Sequence, residues 1–304
     1  MRHTGEVPVT TTPITDPGDQ RLADYVGLTD PEMSRRSVER PYFIAEGIEV
    51  VRRLVASGLE LRSIVVAPNR LERLLPALTE VRCPIYTAER DVISSTIGYA
   101  LHRGVIGSAY RPSPPLLDDV LSRPPLDGVR HRLAVLQGVN DHENLGAIAR
   151  SARAFGIDAL ILDPTCADPY YRRCVRVSMG EILFLPVITM SVDDLAAAVH
   201  QHRGSVLALT PRRDAKTLLE VAPRDGPIAL VLGAEGFGLP EATLEVADHM
   251  ARIPIAEDVD SLNVGHAAAV AFALTSRDVV REPTIGSTLP APSPSEHRSD
   301  RRPG

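Results

Sequence analysis

The stretch Ile228-Ala229-Leu230-Val231-Leu232-Gly233-Ala234-Glu235-Gly236 joins an unbroken apolar run to a glycine-rich turn that carries a carboxylate. A short apolar run bounded by turn residues fits a strand buried on both faces, as in parallel sheets. The same design recurs twice. Leu133–Leu136 runs into Gln137-Gly138-Val139-Asn140-Asp141-His142-Glu143-Asn144, and a strand read at Arg252–Ile255 leads to Ser261-Leu262-Asn263-Val264-Gly265. In open α/β sheets, ligands bind beyond the carboxyl ends of the strands. Three such ends in one half of the chain therefore predict one composite site.

Further candidate strands lie at Ala159–Leu162, Phe184–Val187 and Val206–Leu209. They alternate with helical patterns over Leu145–Phe155, Val192–His202 and Val264–Val280, which predicts a doubly wound α/β unit over residues 132–281. Residues 21–112 read as a smaller α/β unit, with helices at Ile48–Ser57, Leu71–Leu78 and Val92–Ile97 and strands at Ser63–Ala67 and Pro84–Thr87. A proline-rich linker over 113–131 separates the two units, and polar residues predict disordered tails at 1–20 and 282–304.

The 304-residue chain carries a net charge of −6, which excludes an indiscriminately basic nucleic-acid binder. Local sign differs: Ser34 to Arg111 holds twelve Arg against eight acidic residues, a balance of +4. Lys216 is the sole lysine of the protein, and Arg suits bidentate phosphate contact. No apolar run approaches the roughly 20 residues of a membrane helix, and the polar amino terminus has no apolar signal core. Cys83, Cys166 and Cys174 are too scattered for a disulfide framework and lack a second Cys or His pair for metal. A cytoplasmic protein without metal is expected.

Asp141 and Asn144 suit the cap of the helix that carries Arg150 and Arg153. By themselves these residues read as a capped helix with solvated arginines. The turn after Leu232 has neither Walker nor Gly-x-Gly-x-x-Gly spacing, which counts against a nucleotide-dependent dehydrogenase. Glu235 would repel a phosphate and suits a sulfonium or a ribose. Ser261 or Asn263 can cap the last helix, whose amino terminus also presents N–H groups to a ligand.

In order and spacing these blocks resemble the SpoU (TrmH-type) branch of the SPOUT RNA methyltransferases. The resemblance rests on Asn144-Leu145-Gly146 with Arg150 and Ala154-Phe155-Gly156, on Leu232-Gly233-Ala234-Glu235-Gly236, and on Ser261-Leu262-Asn263-Val264. Asp163-Pro164 through Arg176-Val177-Ser178-Met179-Gly180 is similar to the segment between the first two blocks. Phe43-Ile44-Ala45-Glu46-Gly47 and Gly98-Tyr99-Ala100-Leu101-His102-Arg103-Gly104 resemble the amino-terminal substrate-binding domain of such enzymes. The pattern departs at Gly265-His266, where the family has Ser after Val.

The resemblance implies a parallel sheet with a carboxyl-terminal trefoil knot, a homodimer, and methyl transfer from S-adenosylmethionine to a ribose 2′-hydroxyl in rRNA or tRNA. It implies Asn144, Arg150, Glu235, Ser261 and Asn263 as catalytic residues. Thr210, Leu232, Gly233, Ile253, Ile255 and Leu262 would hold the donor, with Gly233 where the donor approaches the backbone. Arg40, Glu46, His102 and Arg103 would contact RNA. An RNA-binding protein with a vestigial site is the alternative.

Overall fold

The computed structural model describes residues 9–28, 39–223 and 225–276. The expected tail over 282–304, the residues before 9 and the end of the helix read to Val280 lie outside the described residues.

The amino-terminal sheet contains β1 (Thr12–Ile14), β2 (Tyr42–Glu46), β3 (Leu61–Val66), β4 (Ile85–Ala88) and β5 (Val105–Tyr110), in the order β1-β4-β3-β5-β2. Strands β1, β4 and β3 are parallel, and β5 runs antiparallel to β3 and β2. Helices α1 (Ile48–Ala56), α2 (Pro68–Leu78) and α3 (Arg90–Ile97) cover it near the positions that periodicity predicts. Two features correct the sequence reading. Residues 12–20 of the expected tail are ordered: β1 pairs with β4, and a 3-10 turn over Gln20–Tyr25 begins at its end. Ile14, Leu22 and Tyr25 are buried there, and the Tyr25 hydroxyl donates to the Ser63 carbonyl at 2.8 Å. A few well-spaced apolar side chains hold a stretch whose average composition is polar. Strands β2 and β5 were also missed.

The second sheet contains β6 (Arg132–Gln137), β7 (Ala159–Leu162), β8 (Val187–Thr189), β9 (Ser205–Leu209), β10 (Lys216–Thr217), β11 (Ile228–Gly233) and β12 (His249–Arg252). Its order is β10-β12-β9-β11-β6-β7-β8, with every pairing parallel. Alternate residues feed different cores. Leu133, Val135, Val206, Ala229 and Val231 face one layer, and Ala134, Leu136, Leu207, Leu230 and Leu232 the other. Two expected strands shift. Phe184–Val187 is not a strand: Glu181–Phe184 forms a 3-10 turn after left-handed Gly180, and β8 starts only beyond Pro186, which has no N–H for the ladder. Likewise β12 ends at Arg252, before Pro254, so Ile253 and Ile255 leave the sheet.

The expected linker is partly structured. Helix α4 (Leu117–Leu121) buries Leu117, Val120 and Leu121 on the second sheet. The two sheets also share a core, in which Phe43, Val50 and Leu54 join Leu145, Cys174 and Ile182. Polar links cross the same boundary. Arg111 forks onto the Asp168 carboxylate at 2.7 and 2.6 Å, and Arg53 donates to the Met179 carbonyl at 2.7 Å. Among the described residues, no helix is long and apolar enough to cross a membrane.

Helices α5 (His142–Ala154), α6 (Arg172–Val177), α7 (Val192–Gln201), α8 (Leu218–Val221), α9 (Glu241–Val246) and α10 (Val264–Leu274) complete the second unit. Asp141 caps α5 by accepting from the Glu143 amide at 2.6 Å. At the far end of α5, the 1 % exposed Arg132 donates to the carbonyls of Phe155, Gly156 and Phe272. One cation thus serves the carboxyl ends of both α5 and α10, where unpaired carbonyls concentrate negative charge. Asp127 lies 3.3 Å from its Nε.

Arg132→Met keeps most of the buried volume but removes the ion pair to Asp127 and the Arg132 hydrogen bonds to these carbonyls. Denaturant unfolding should show a loss of about 3–5 kcal/mol, the usual cost of breaking a buried pair. A loss below about 1 kcal/mol, the size of an ordinary net hydrogen bond, would mean that α5 and α10 do not depend on this residue.

Candidate active site

Beyond Gly233 the chain doubles back tightly. A Cβ on Gly233 would lie 2.4 Å from the carbonyl carbon of Gly238, and the Gly238 amide donates to the Ala234 carbonyl at 3.2 Å. Gly236 and Gly238 take positive φ values of 89° and 67°, which favour glycine. Gly233 was expected to make room for a donor molecule. The protein's own loop makes a close approach at this position as well.

The loop forms one wall of a cleft of about 330 Å³. All six residues expected to hold a donor line it: Thr210, Leu232, Gly233, Ile253, Ile255 and Leu262. Glu235, Ser261 and Asn263 line it as well. Sequence reasoning missed Ala267, which faces the cleft one turn into α10. Its small size in a helical run is the signal that marks it. Apolar walls with a few polar groups at the rim suit a small organic ligand.

Asn263 joins the three sequence blocks. Its Oδ1 accepts from the amides of Gly265 at 2.9 Å and His266 at 3.3 Å, capping α10. Its Nδ2 donates to Asn144 Oδ1 at 2.9 Å and to Glu235 Oε1 at 2.5 Å. Both donors and both acceptor positions of the amide are thereby used. Gly265 lies against this cluster, since a Cβ there would sit 3.1 Å from Asn263 Oδ1 and 4.0 Å from Asn144 Oδ1. The departure from the family's Ser is therefore in contact with the polar centre. Ser261 is exposed on the cleft, and its hydroxyl has no protein partner among the described residues. His266 contributes only its amide to the cap.

Arg150 is exposed on α5, does not line the cleft, and has no ion pair among the described residues. It lies about 9 Å along the helix axis from Asn144, at roughly 1.5 Å per residue. The fold thus bonds Asn144 and Glu235 to Asn263, places Ser261 on the same cleft and leaves Arg150 apart.

The residues expected to contact RNA also separate. Arg40 is exposed but pairs with Glu60 at 2.6 Å and covers the Tyr110 ring. Glu46 corrects the sequence reading. It is 5 % exposed, accepts from the Tyr99 hydroxyl at 2.9 Å and lies 3.6 Å from Arg172, so it serves the junction between the sheets. His102 and Arg103 are exposed. They adjoin two arginines that sequence reasoning missed. Arg70 and Arg90 converge over Gly104, and Arg103 lies over Gly47. The Nε atoms of Arg70 and Arg90 are buried without a partner. This end of the first sheet concentrates positive charge with no salt bridge to these three arginines among the described residues.

Among the described residues, no cluster of three or more His, Cys, Asp or Glu is arranged to hold a metal. Burial pushes the thiols of Cys83 and Cys166 up to about 11 and about 12, which keeps them protonated and unreactive.

Comparison with known proteins agrees with this geometry. An uncharacterized tRNA/rRNA methyltransferase of Mycobacterium tuberculosis is 40% identical over 265 residues, 85% of this chain and 89% of that protein. The 23S rRNA (guanosine-2′-O-)-methyltransferase RlmB of Ralstonia nicotianae is 35% identical over 220 residues, 70% of this chain and 85% of that protein. Among solved structures, an rRNA methyltransferase from Sinorhizobium meliloti with AdoMet bound superimposes with a TM-score of 0.68 at 25% identity, covering 86% of this chain and 96% of that one. Residues 131–273 match the SpoU rRNA Methylase family. The cleft, the Asn263 cluster and these likenesses coincide on the same segments, and the chain belongs to the SpoU rRNA methylase family.

Proposed function

We propose that this protein transfers a methyl group from S-adenosylmethionine to a ribose 2′-hydroxyl of ribosomal or transfer RNA. The observation that carries this reading is the Asn263 cluster, which joins Asn144, Glu235 and Asn263 at the rim of a cleft lined by Leu232, Ile253 and Leu262. The mostly apolar walls, with Thr210, Ser261 and Glu235 among the lining residues, fit the donor's mixed character. When bound, S-adenosylmethionine supplies an electrophilic methyl group on a sulfonium.

The chain's own residues bring the hydroxyl to that methyl, since positioning supplies much of the rate in such a displacement. Ser261 is free to orient the ribose hydroxyl. Asn144, Glu235 and Asn263 are committed to one another and act by holding the rim rigid. A guanidinium stays protonated, so Arg150 serves as a clamp on RNA phosphate and on the developing alkoxide rather than as a base. Because Arg150 does not line the cleft of its own chain, we assign it to a cleft completed in a homodimer. The apolar surface of α10, where Val270 is 37 % exposed, supports such a contact.

The trefoil knot is part of the same proposal. It is supported by β12 lying beyond β9 in the sheet, with segments 233–238 and 253–263 meeting around one cleft. The unit built on the first sheet would present RNA through Arg70, Arg90 and Arg103, in the cytoplasm where such RNA is modified.

Four measurements test this reading. Ala267→Leu fills the cleft from α10, so calorimetry should show S-adenosylmethionine binding to wild type and little to the variant, with both folded by circular dichroism. Equal affinity would place the donor elsewhere.

In single-turnover methyl transfer to RNA from a deletion strain, Arg150→Ala should lose about 10²–10³ in rate, the typical cost of removing one transition-state interaction. Arg150→Lys should recover only a minor part, since the planar fork is gone. Mapping of 2′-O-methyl marks in the same strain should reveal a site restored by wild type. Absence of any such site would overturn the function, whereas full activity of Arg150→Ala would overturn only its role.

Replacing Arg70, Arg90 and Arg103 together by Ala should flatten the salt dependence of RNA binding, by about 0.7 in the logarithmic slope for each phosphate that is no longer neutralised. An unchanged slope would show that RNA is held on another face.

A further inference from the structure

The Phe237 side chain is 100 % exposed, whereas the other exposed large apolar residues among those described reach at most 70 %. It stands at the tip of the loop that closes the cleft, between Gly236 and Gly238, both of which line that cleft. The base of the loop is fixed on both sides. Glu235 is tied to Asn263 at 2.5 Å, and Gly238 is bound to Ala234 at 3.2 Å. A Cβ on Gly236 or Gly238 would meet nothing within 4 Å, so the space on either side of the tip is open. The fold therefore holds a bare aromatic ring at the mouth of the site without using it for packing. Leaving such a ring in water forgoes the gain from burying it.

We propose that Phe237 is a base-stacking residue for the RNA substrate. This rests on the reading of the site as an RNA ribose methyltransferase. Sequence-specific recognition of RNA targets loops and bulges whose bases are splayed out of the stack, and such bases are held on aromatic side chains. The ring two residues beyond Glu235 replaces the stacking that the base gives up. Flanking glycines suit the task, because no neighbouring side chain covers either face of the ring.

The protein contains no tryptophan, so Phe237→Trp introduces a single fluorescent reporter. The probe is unmodified rRNA and tRNA extracted from a deletion strain. Titration should quench the tryptophan emission with an affinity close to that of wild type. Phe237→Ala and Phe237→Leu should each weaken RNA binding about 5- to 150-fold. That range is the ~1–3 kcal/mol of one base–aromatic stack at roughly 1.4 kcal/mol per factor of ten. Calorimetry should give S-adenosylmethionine affinities within about twofold of wild type for all variants, and sedimentation an unchanged oligomeric state.

Wild-type RNA affinity in Phe237→Leu would overturn stacking in favour of a simple apolar contact. Failure of the variants to bind donor would assign the ring to the donor, and a changed oligomeric state would assign it to an interface between copies. If wild type neither binds nor methylates the RNA, the methyltransferase reading falls together with this one. If wild type does both and Phe237→Leu matches it, only the stacking role falls.

Discussion

The site depends on the fixed pairing of α5 with α10, which polar groups secure at both ends. At the amino ends the Asn263 amide reaches Asn144 while capping its own helix. At the carboxyl ends the buried Arg132 guanidinium gathers carbonyls from both chain segments. Desolvation opposes the charge on Arg132 and draws its pKa down, so its binding to several carbonyls and its proximity to Asp127 are needed to retain that charge. Between the two ends α5 has little freedom to slide. A Cβ on Gly146 would approach the Cys174 carbonyl to 2.9 Å, so α5 and α6 lie in direct backbone contact. A cleft bounded by loops is thus carried on helices that cannot shift relative to one another.

This packing matters because the amide at the polar centre, Asn263, has no spare hydrogen-bonding capacity. Asn263 uses its whole amide within the protein, and Glu235 is held by it. The Ser261 hydroxyl and the Phe237 ring are free of such bonds and available to a ligand. Separating structural from available polar groups lets one small region be both stable and receptive. Arg150, with no ion pair among the described residues, stands outside this cluster and does not line the cleft.

The attachment of the two units follows similar physics. Phe43 packs near the Tyr170 ring, with centroids 5.4 Å apart, and Arg111 and Asp168 pair beside it at low exposure. A buried, forked ion pair beside a continuous apolar core favours one relative placement of the two sheets. The arginines over Gly104 and Gly47 consequently keep a constant position relative to the cleft. Charge on the first sheet and chemistry on the second can then act on one extended ligand.

Local pattern was sufficient for much of this molecule. β7 matches its apolar run residue for residue, and β6, β9 and β11 match theirs within one residue, because strands buried on both faces must be continuously apolar. The three blocks at strand ends and the cap at Asp141 were likewise legible, since turns and caps demand particular residue types, whereas the six cleft residues followed from the family resemblance. β8 and β12 were displaced because Pro186 and Pro254 end or delay the ladder within otherwise apolar runs. Tertiary structure alone decided the partnerships. Asn263 meets Asn144 across 119 residues, Glu46 turns inward to Tyr99 and Arg172, and Arg70 and Arg90 converge over Gly104. Periodicity and residue type report which face of an element is buried. Which distant side chain shares that burial depends on how the elements pack, and no local pattern encodes it.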